Sequence, residues 1–492
     1  MQWLSLLALL FVHQHVVTAL QVYQRPLNQD CVSAPNSRSL PSGSQYFPED
    51  FRVYGETFDE SDHVTVEFAQ GFSVEYFDTY KIVRNTIVNE TYVLYQCGLQ
   101  PPSTDSLPEG SKLFSVPLDS TAVVETVPLA FLKELGVDSR LQSVSSYAVG
   151  SCAQKLLTCP GRTAPSLDTA NATMTTTDLD ALVPYADAII TSSAYALDQV
   201  FAFSATMDPG VLRRAEWVKF LGVFFNMDAS SSEIFSAINE SYFQTVSDIK
   251  SREPAQPPLM AFVDYLDYEP DFAFEVQFAP YKLQYTEDAG AVGPDYAEVA
   301  AIPGVIPSPF ATIPNGTLWF SWGEGGGFAT QAEAVAAFQA FLQTVDIVID
   351  ETYAADPLSY NLTKFYQTYN ITSNTSYPFL RTSQVFREDG LIGPAPSYGL
   401  DWFEGAIARP DLVLGDFAAA VAPSEYPGRR PTWIRNIALG QQPTIISDQN
   451  CNQVTSCSER PSPICPYIST CPNGNVVQQE AVNTTCVYVP CS

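Results

Sequence analysis

One stretch near the middle of the chain, residues 208–253, constrains the fold more than any other. It opens with Asp208 and Pro209, a typical helix start, because proline lacks the amide proton that a first turn leaves unpaired. The run Leu212–Phe225 is apolar on nearly every face and predicts a helix that is buried on most sides. Apolar residues then recur at every fourth position from Ile234 to Val246, which predicts an amphipathic helix of about 20 residues. We interpret the whole stretch as a rigid spine that joins two lobes.

Strand-like and helix-like segments alternate on both sides of this spine. Before it, Val64–Phe68 and Phe72–Tyr76 alternate as half-buried strands, and Pro128–Leu135 predicts a helix that ends at Gly136. After it come a strand over Leu259–Val263, a helix over Glu333–Val345, and strands over Asp346–Ile349 and Asp411–Leu414. This alternation predicts two α/β lobes with mainly parallel sheets, which bind ligands outside the carboxyl ends of their strands. The cleft between the lobes is therefore the expected binding site.

Length and charge narrow the classes of protein further. A chain of 492 residues is longer than one ordinary hydrophobic core accommodates, which favours two lobes with a tail. The predicted divisions are a signal peptide (1–19), an N-terminal extension (20–63), the first α/β lobe (64–207), the linking helix region (208–253), the second α/β lobe (254–440) and a disulfide-rich tail (441–492). The 54 acidic and 24 basic residues give a net charge of −30, which argues against binding of nucleic acid or anionic membranes. We expect a soluble monomer.

The first residues of the chain indicate secretion. Met1–Ala19 contains a short apolar core followed by small residues, the pattern of a secretory signal peptide. No later stretch reaches about 18 uninterrupted apolar residues, and the chain lacks the hydrophobic tail of a GPI signal. Eight Asn-X-Ser/Thr sequons are candidate glycosylation sites: Asn89, Asn171, Asn239, Asn315, Asn361, Asn370, Asn374 and Asn483. We therefore expect a secreted or cell-surface glycoprotein.

Ten cysteines, an even number, suit an oxidising compartment. Six lie in the polar tail: Cys451, Cys457, Cys465, Cys471, Cys486 and Cys491. The tail has no histidine and no C-x-x-C pair, so its spacing matches no zinc site. Cys152 and Cys159 are close enough in sequence to close one loop, and we expect this bridge to hold the Tyr147 loop over the cleft. Cys31 and Cys97 remain, and their pairing is left open.

Histidine is scarce, which restricts the chemistry. Of three histidines, His13 and His15 belong to the predicted signal peptide, and only His63 remains. An enzyme with a Ser-His-Asp or Cys-His centre would have to use His63, and the count excludes a His-rich transition-metal site. No nucleophile motif accompanies this histidine. The sequence predicts neither an enzyme, nor a metal site, nor an intrinsic cofactor.

Four segments between about residue 64 and residue 437 resemble a known family. They are Phe72–Tyr76 through Tyr80–Val83 to Tyr92–Gly98 with Pro101 and Pro102; Val116–Leu118 with Pro128–Gly136; Arg214–Phe220 with Phe224–Asn226; and Asp401–Gly405 with Arg409–Asp416. In order and spacing the chain resembles the substrate-binding component of ABC-type iron(III)-siderophore, haem or cobalamin transporters, in a secreted, eukaryote-like form. The resemblance implies two Rossmann-like lobes joined by one long, rigid helix.

The resemblance also implies a function. A protein of this kind would capture a ferric chelate, haem or cobalamin in the cleft between its lobes. Many members of the family dock on a membrane permease through a carboxylate on a first-lobe helix, and the matching position here is Ala130. Any membrane receptor or transporter partner is therefore left open. The alternative function is a ligand-free structural or adhesive glycoprotein on the same fold, with the cysteine-rich tail as its interaction module.

Binding a large chelate needs aromatic faces and a few fixed charges. The candidate ligand-binding residues, at strand ends and lobe junctions, are Tyr147, Tyr195, Arg213, Arg214, Glu216, Tyr281, Trp319, Trp322 and Trp402. Trp319 and Trp322 are the favoured stacking residues, because they precede the glycine-rich run Gly323–Gly327, interpreted as a hinge or loop rather than an anion site. Arg213 or Arg214 would pair with the negative charge of the ligand.

Overall fold

The computed structural model of the chain describes residues 63–77, 79–97, 101–158, 174–252, 256–268, 271–311, 313, 315–372 and 376–451, and the backbone of 479–482 and 485–488. The predicted signal peptide and nearly all of the predicted N-terminal extension and tail lie outside this range. So do Cys31, Cys159, Cys457, Cys465, Cys471 and Cys491, and the sequons at Asn171, Asn374 and Asn483.

The first lobe contains two four-stranded sheets. One has the order β1-β2-β3-β4, with strands Phe72–Tyr76, Tyr80–Asn85, Glu90–Gln96 and Lys112–Val116. The other has the order β6-β5-β7-β8 and is parallel throughout, with β5 at Thr121–Val123, β6 at Leu141–Val144, β7 at Ala188–Thr191 and β8 at Val200–Ala202. The first sheet is antiparallel except for the β3–β4 pair. The parallel sheet therefore turns the carboxyl ends of its strands toward one edge of the lobe.

The second lobe is built on one seven-stranded mixed sheet. Its strands are β9 Met260–Tyr268, β10 Asp271–Gln277, β11 Ile306–Pro307, β12 Thr317–Trp322, β13 Ile347–Asp350, β14 Val385–Arg387 and β16 Arg435–Asn436, in the order β11-β12-β10-β9-β13-β14-β16. Two small pairs complete the strands: β15 Leu391–Ile392 with β17 Thr444–Ile445, and β18 Gln479–Val482 with β19 Thr485–Tyr488. The predicted α/β class is confirmed, although in the seven-stranded sheet only the β9–β13 and β13–β14 pairs are parallel.

Thirteen α-helices are described. In the first lobe and the spine they are α1 Val127–Glu134, α2 Ser151–Thr158, α3 Thr176–Asp180, α4 Val211–Ala215, α5 Trp217–Phe224 and α6 Asp228–Lys250. In the second lobe they are α7 Pro280–Asp288, α8 Tyr296–Ala300, α9 Gln331–Leu342, α10 Leu362–Thr368, α11 Pro378–Arg381, α12 Gly405–Ala408 and α13 Pro410–Val421. None of the helices in the described residues is both long enough and apolar enough to cross a membrane.

The sequence predicted two helical runs in the spine, and the structure has three helices there, α4, α5 and α6. Every residue of α5 is buried. The 23 residues of α6 span roughly 35 Å at the usual helical rise. Ile234, Phe235 and Ile238 of α6 pack in the core of the first lobe. Tyr242 and Val246, two turns later, pack in a core of the second lobe. One helix face therefore joins both lobes.

Two buried carboxylates fasten the start of the first lobe to the spine. Glu216 accepts hydrogen bonds from the backbone amides of residues 67, 68 and 69, at 2.8, 2.6 and 2.7 Å. Asp208 accepts hydrogen bonds from the amides of residues 70 and 71, at 2.9 and 3.1 Å. These carboxylates accept amide hydrogen bonds that a neighbouring strand would otherwise accept. The predicted strand over Val64–Phe68 therefore does not form. Asp208 is likewise not a helix cap, since Gly210 is the N-cap of α4.

The segment Asp411–Leu414 also corrects the sequence prediction. It belongs to α13, which has Pro410 in its first turn and Asp411 beside the helix N-terminus. Both residues favour a helix start, since proline needs no amide partner there and a carboxylate interacts favourably with the helix dipole. Apolar residues on most of its faces pack α13 between α6 and the central sheet.

The disulfide of Cys152 joins the two ends of the bilobal body. Cys152 is bonded to Cys451, 299 residues away in sequence, and not to Cys159 as predicted. The reason is that α2 lies against the 3-10 turn Asp448–Asn450, which brings Cys451 next to Cys152. Gln154 supports the same contact by donating a hydrogen bond to the carbonyl of Ile446 at 3.0 Å. Cys97 is also in a disulfide.

Replacing both Cys152 and Cys451 by serine should lower the free energy of unfolding by about 2–4 kcal/mol, because the cross-link restricts a long loop of the unfolded chain. Hydrogen exchange should rise in α2 before it rises in α6. Denaturant unfolding and exchange mass spectrometry measure both effects. Non-reducing peptide mapping that links Cys152 to Cys159 would contradict the pairing.

Candidate ligand-binding site between the lobes

A cavity of about 180 Å³ lies where the spine meets both lobes. It is lined by Thr206, Val211, Arg214, Tyr281, Tyr285, Trp402, Phe403, Ala406 and Ile407. Thr206 follows the last strand of the first lobe, and Tyr281 and Tyr285 lie on α7 of the second lobe. The remaining walls come from α4 and from the segment that carries α12. The cavity therefore lies between the lobes, where the fold class predicts a ligand.

Arg214 is the fixed charge of this cavity. Its guanidinium carbon lies 3.8 Å from the centre of the Tyr281 ring, in a cation–π stack. Its Nε and Nη2 atoms donate hydrogen bonds to the carbonyls of Asp208 and Thr206, at 3.1 and 2.9 Å. Among the described residues none accepts a hydrogen bond from Nη1. The guanidinium is thus held in place on one side and can donate to an anion on the other.

Aromatic rings form the rest of the wall. Trp402 is 5 % exposed and packs edge-on against Phe417 at 6.2 Å, which fixes the ring at the edge of the second core. Tyr285 stacks on the same Phe417 at 5.4 Å. Phe403, in contrast, is 56 % exposed at the mouth of the cavity. An apolar wall of this kind suits a planar group that carries negative charge at its edge.

Tyr281 connects the cavity to an acidic cluster, which we define as Asp264, Glu275, Glu351 and Glu388. Tyr281 interacts electrostatically with Lys282, Glu351 and Glu388. Lys282 lies 2.5 Å from the carboxylate of Glu351 and is the cation nearest these acids. Glu351 and Glu388 directly follow the parallel strands β13 and β14. The cluster therefore occupies the carboxyl ends of the parallel strands, behind the cavity.

Burial governs the protonation of this cluster. Burial first, then repulsion by Glu351, raises the pKa of Glu388 well above its ordinary value. The same two causes raise the pKa of Asp264 to about 7. Burial is the largest single influence on Lys282 and by itself would lower its pKa, but the attraction of Glu351, Tyr281 and Glu388 together with the hydrogen bond to Glu351 raises it. One oxygen of Glu388, Oε1, has no hydrogen-bond partner among the described residues.

Metal binding finds no support in the described part of the chain. There, no group of three or more His, Cys, Asp or Glu side chains is arranged to hold a metal ion. His63 stacks face to face on Tyr76, with ring centres 3.8 Å apart, away from the cavity.

Glu404 fastens the second lobe to the first beside the cavity. Its carboxylate accepts hydrogen bonds from the amides of Val149 and Gly150, both at 2.8 Å, just before α2. Burial, with Asp401 nearby, raises the pKa of Glu404 to about 8, although these two amides act in the opposite direction. Thr126 of the first lobe adds a hydrogen bond to the carbonyl of Phe403, at 3.1 Å.

The structure brings three of the predicted ligand residues together at the cavity: Arg214, Tyr281 and Trp402. The remaining predicted residues lie elsewhere: Tyr147, Tyr195, Arg213, Glu216, Trp319 and Trp322. Glu216 is fully buried and makes its contacts within the first lobe and the spine, with Lys219 Nζ 2.8 Å from its carboxylate. Arg213 neighbours Arg214 on α4 but lies near Gly210 instead of the cavity.

The two tryptophans favoured as stacking residues are part of the second-lobe sheet. Trp319 is 3 % exposed, and its indole nitrogen donates a hydrogen bond to Glu275 on the neighbouring strand. Trp322 packs among aromatic rings of the same sheet, 5.9 Å from Phe272 and 5.5 Å from Phe274. Gly326 and Gly327 pack tightly, because a Cβ would lie 2.6 Å from the Trp322 backbone at Gly326 and 2.1 Å from the Gly304 carbonyl oxygen at Gly327. The run therefore forms a tight turn, and the expected stacking pair packs within the sheet that precedes it.

The two remaining tyrosines belong to the first lobe. Tyr147 lies at the junction of the lobes, where its carbonyl approaches Gly399 so closely that a Cβ there would be 2.2 Å away. The bridge expected to hold this loop does not form, since Cys152 is bonded to Cys451; instead Ser397 donates a hydrogen bond of 3.1 Å to the carbonyl of Ser146. The Tyr195 hydroxyl donates to the carbonyl of Met174 at 3.3 Å and packs on the far side of the parallel sheet.

Tyr285 and Glu388 are the residues that sequence reasoning missed. Glu388 directly follows the short strand β14, and the rule for parallel sheets places residues at such strand ends near the site. Tyr285 lies one helical turn after Tyr281, so that the two rings share a face of α7. A helix prediction over Pro280–Asp288 would have found the pair.

The chain was compared with protein-family models, curated proteins and solved structures. No protein-family model matches the chain, and no curated protein matches it. Among solved structures, a periplasmic haem-binding protein from Pseudomonas aeruginosa aligns at 14 % identity over 66 % of this chain and 99 % of its own, with a TM-score of 0.41.

Two further structures align in the same way. The periplasmic haem-binding protein RhuT from Roseiflexus aligns at 13 % identity over 62 % of this chain and 98 % of its own, with a TM-score of 0.39. CeuE from Helicobacter pylori with Ni(II) bound aligns at 11 % identity over 64 % and 87 %, with a TM-score of 0.39. The haem-binding proteins belong to the class that the sequence resembles, but at these scores they decide nothing about the ligand of this chain.

The sequons in the described residues differ in accessibility. Asn89, Asn315, Asn361 and Asn370 are exposed, whereas Asn239 is half-buried on α6 with its Oδ1 atom buried and unpaired among the described residues. We expect glycopeptide mass spectrometry to find glycans at the four exposed sites and none at Asn239, because a glycan there would keep α6 from packing. A glycan on Asn239 in folded, secreted protein would contradict the placement of α6.

Glu404 should make stability depend on pH. Its pKa is 4.5 ordinarily and about 8 in the folded chain, so the folded state binds the proton more tightly. Stability from this proton is complete below about pH 4.5 and is lost as the pH rises through about 8, by up to about 1.4 kcal/mol per unit. Glu404→Gln should flatten this dependence in thermal unfolding, while Glu287→Gln on the exposed face of α7 should not. An unchanged slope in Glu404→Gln would overturn the assignment.

Proposed function

We propose that the protein is a solute-binding protein whose ligand contacts Arg214 in the cavity between the lobes. The observation that carries this proposal is the guanidinium itself, stacked on Tyr281 and tied to two carbonyls. An arginine held in this way is ready to bind an anion at little further cost in side-chain entropy. The aromatic wall beside it supplies the apolar contact that a planar ligand needs.

The ligand class we propose is a planar, negatively charged group of a metal chelate or macrocycle. The cavity of about 180 Å³ is smaller than the roughly 300–1,000 Å³ of most small-molecule sites. A ferric chelate, haem or cobalamin would therefore place one anionic edge between Arg214 and Trp402 and leave the rest outside. The exposed ring of Phe403 lies at the mouth, where that remainder would rest.

A ligand-free adhesive or structural glycoprotein is the second candidate, and the contacts between the lobes favour it. The Cys152–Cys451 disulfide and the hydrogen bonds of Glu404 hold the lobes together beside the cavity. A binding protein that must admit a large ligand would need these contacts to open or to be bypassed. Titration with ligands separates the two candidates.

Secretion and a membrane partner stay proposals. The predicted signal peptide, the exposed sequons and the disulfides support a secreted protein. A permease contact through α1 has less support. Ala130, at the position where the family carries a carboxylate, is 6 % exposed and packs in the first core. We therefore propose no transporter partner.

Arg214→Gln should weaken binding about 10- to 100-fold, because a charge-assisted hydrogen bond to an anion contributes about 1.5–3 kcal/mol. The matched control is Arg213→Gln, which removes the same charge from the same helix outside the cavity. The measurement is tryptophan-fluorescence titration with a ferric hydroxamate, a ferric catecholate, haem, cobalamin and a free ferric salt. Thermal unfolding verifies that both variants are folded.

The outcomes of this titration are distinct. Loss of binding in Arg214→Gln alone supports the site. Equal loss in both variants would remove Arg214 from it. Saturable binding of none of these ligands by wild-type protein would favour the ligand-free glycoprotein instead.

A further inference from the structure

A second and larger concavity lies on the other face of the second-lobe sheet. We define the α9–α10 groove by Tyr265, Asp267, Tyr353, Tyr360, Gln367 and Asn370, and its volume is about 930 Å³. Side chains alternate along β9, so that Tyr265 packs with the core on the α9 side, whereas Phe262 packs with the core next to the cavity. The sheet therefore separates the groove from the Arg214 cavity, and binding in the groove is independent of the proposed function.

Two tyrosine rings that line the groove differ in their exposure to solvent. Tyr353 is 84 % exposed, although a ring of this size is costly to leave in water. Tyr360 is 2 % exposed and is held by Arg387, whose guanidinium carbon lies 3.7 Å from the ring centre. Asp350 and Thr368 lie close enough to the Tyr360 hydroxyl to influence its pKa, but among the described residues this hydroxyl makes no hydrogen bond of ordinary geometry. A buried hydroxyl without a partner is destabilising unless a ligand or water completes it.

The polar groups of the groove are mostly amides and hydroxyls rather than charges. Gln367 and Asn370 are exposed, and Thr352 and Thr368 add hydroxyl groups. Asp264 and Asp267 are the acidic groups of the groove and Lys364 is its basic group, so amides and hydroxyls outnumber the charged groups. Amides and hydroxyls can both donate and accept, and they select for a neutral ligand with many hydroxyl groups. A pyranose ring has that character: one face of C–H groups that packs on an aromatic ring, and a rim of hydroxyls.

The position of Asn370 adds an independent observation. It begins the sequon Asn370-Ile371-Thr372, and its side chain is exposed while it also lines the groove. Gln339 fixes its backbone by donating hydrogen bonds to the carbonyls of Tyr369 and Asn370, at 3.1 and 2.6 Å. A glycan attached to Asn370 would start at the edge of the groove. The groove could therefore receive a saccharide from this chain as well as from another molecule.

We propose that the α9–α10 groove is a saccharide-binding site, in which Tyr353 stacks on a sugar ring and Tyr360 and Gln367 bind its hydroxyls. The bound saccharide is either the chain's own Asn370 glycan or an exogenous polysaccharide. The chemistry recognised is the same in both cases.

The test uses the full chain and a change that leaves every groove residue intact. Thr372→Ala removes the sequon but keeps the Asn370 side chain. Glycosylated wild-type protein and Thr372→Ala are titrated with hexasaccharides of glucose, mannose and N-acetylglucosamine, and the fluorescence of Trp322, stacked at 6.4 Å on Tyr265, reports binding. Wild-type protein secreted in the presence of an inhibitor of N-glycosylation provides a second unglycosylated sample if Thr372→Ala fails to fold.

The two sources of saccharide predict different patterns of hexasaccharide binding by the glycosylated and unglycosylated samples. Binding by the unglycosylated protein alone shows that the Asn370 glycan occupies the groove. Binding by both samples shows an exogenous ligand. Tyr353→Ala should then weaken affinity about 2- to 10-fold, the equivalent of one aromatic contact. The matched control Tyr185→Ala removes a 37 % exposed tyrosine from the first lobe and should have no effect. No binding of any hexasaccharide by either sample, or equal losses in Tyr353→Ala and Tyr185→Ala, would overturn the proposal.

Discussion

One helix, α6, joins the main core of the first lobe to a core of the second lobe. The first half of α6 contributes Ile234, Phe235 and Ile238 to one core, and its second half contributes Tyr242 and Val246 to the other. Each such side chain contributes about 1.5–3 kcal/mol when it is fully buried. Bending α6 would break its backbone hydrogen bonds and expose apolar surface at the same time. The orientation of the lobes is therefore set by the helix itself, and the cavity beside α4 has walls that move little.

Many acidic side chains of this chain have structural roles, beyond their contribution to solubility. Glu216, Asp208 and Glu404 are buried, and each accepts backbone amide protons from a segment distant in sequence. A carboxylate that binds several amides can hold a segment that no sheet covers. The acids at the ends of β13 and β14 differ, because they crowd one another and Lys282 offsets only part of their charge. Such crowding, next to Tyr281, is typical of a functional site rather than a structural ion pair.

Sequence periodicity predicted secondary-structure elements well, but it did not show which side chains contact one another across the fold. The stripe from Ile234 to Val246 predicted the buried face of α6, because a helix period depends on local spacing alone. Trp319 and Trp322 looked available for a ligand because the residues that they contact lie on other strands. The strand register that places Trp319 opposite Glu275 cannot be read from one segment of the chain. Proximity in sequence misled in the same way for Cys152.

The same holds for the candidate site: the sequence indicated some of its residues, but their arrangement depends on tertiary packing. Arg214, Tyr281 and Trp402 were named from residue type and position, and the fold brings them together. Their arrangement was out of reach, because it depends on how α4, α7 and the segment before α12 meet. Glu216 shows the converse: it was chosen as a charge in the spine, but three amides from the start of the lobe surround it.

The Cys152–Cys451 bond has a mechanical consequence for a protein anchored through its tail. The bond closes a covalent ring that contains the spine, the second lobe, the Arg214 cavity and the α9–α10 groove. Tension applied between the segments that precede Cys152 and those that follow Cys451 passes through the sulfur atoms and bypasses this ring. The described elements left in the path of the force are those before Cys152 and the β18–β19 pair after Cys451. A protein stretched between a surface and a partner would thus shield both concavities from the pull, for as long as the bond stays oxidised.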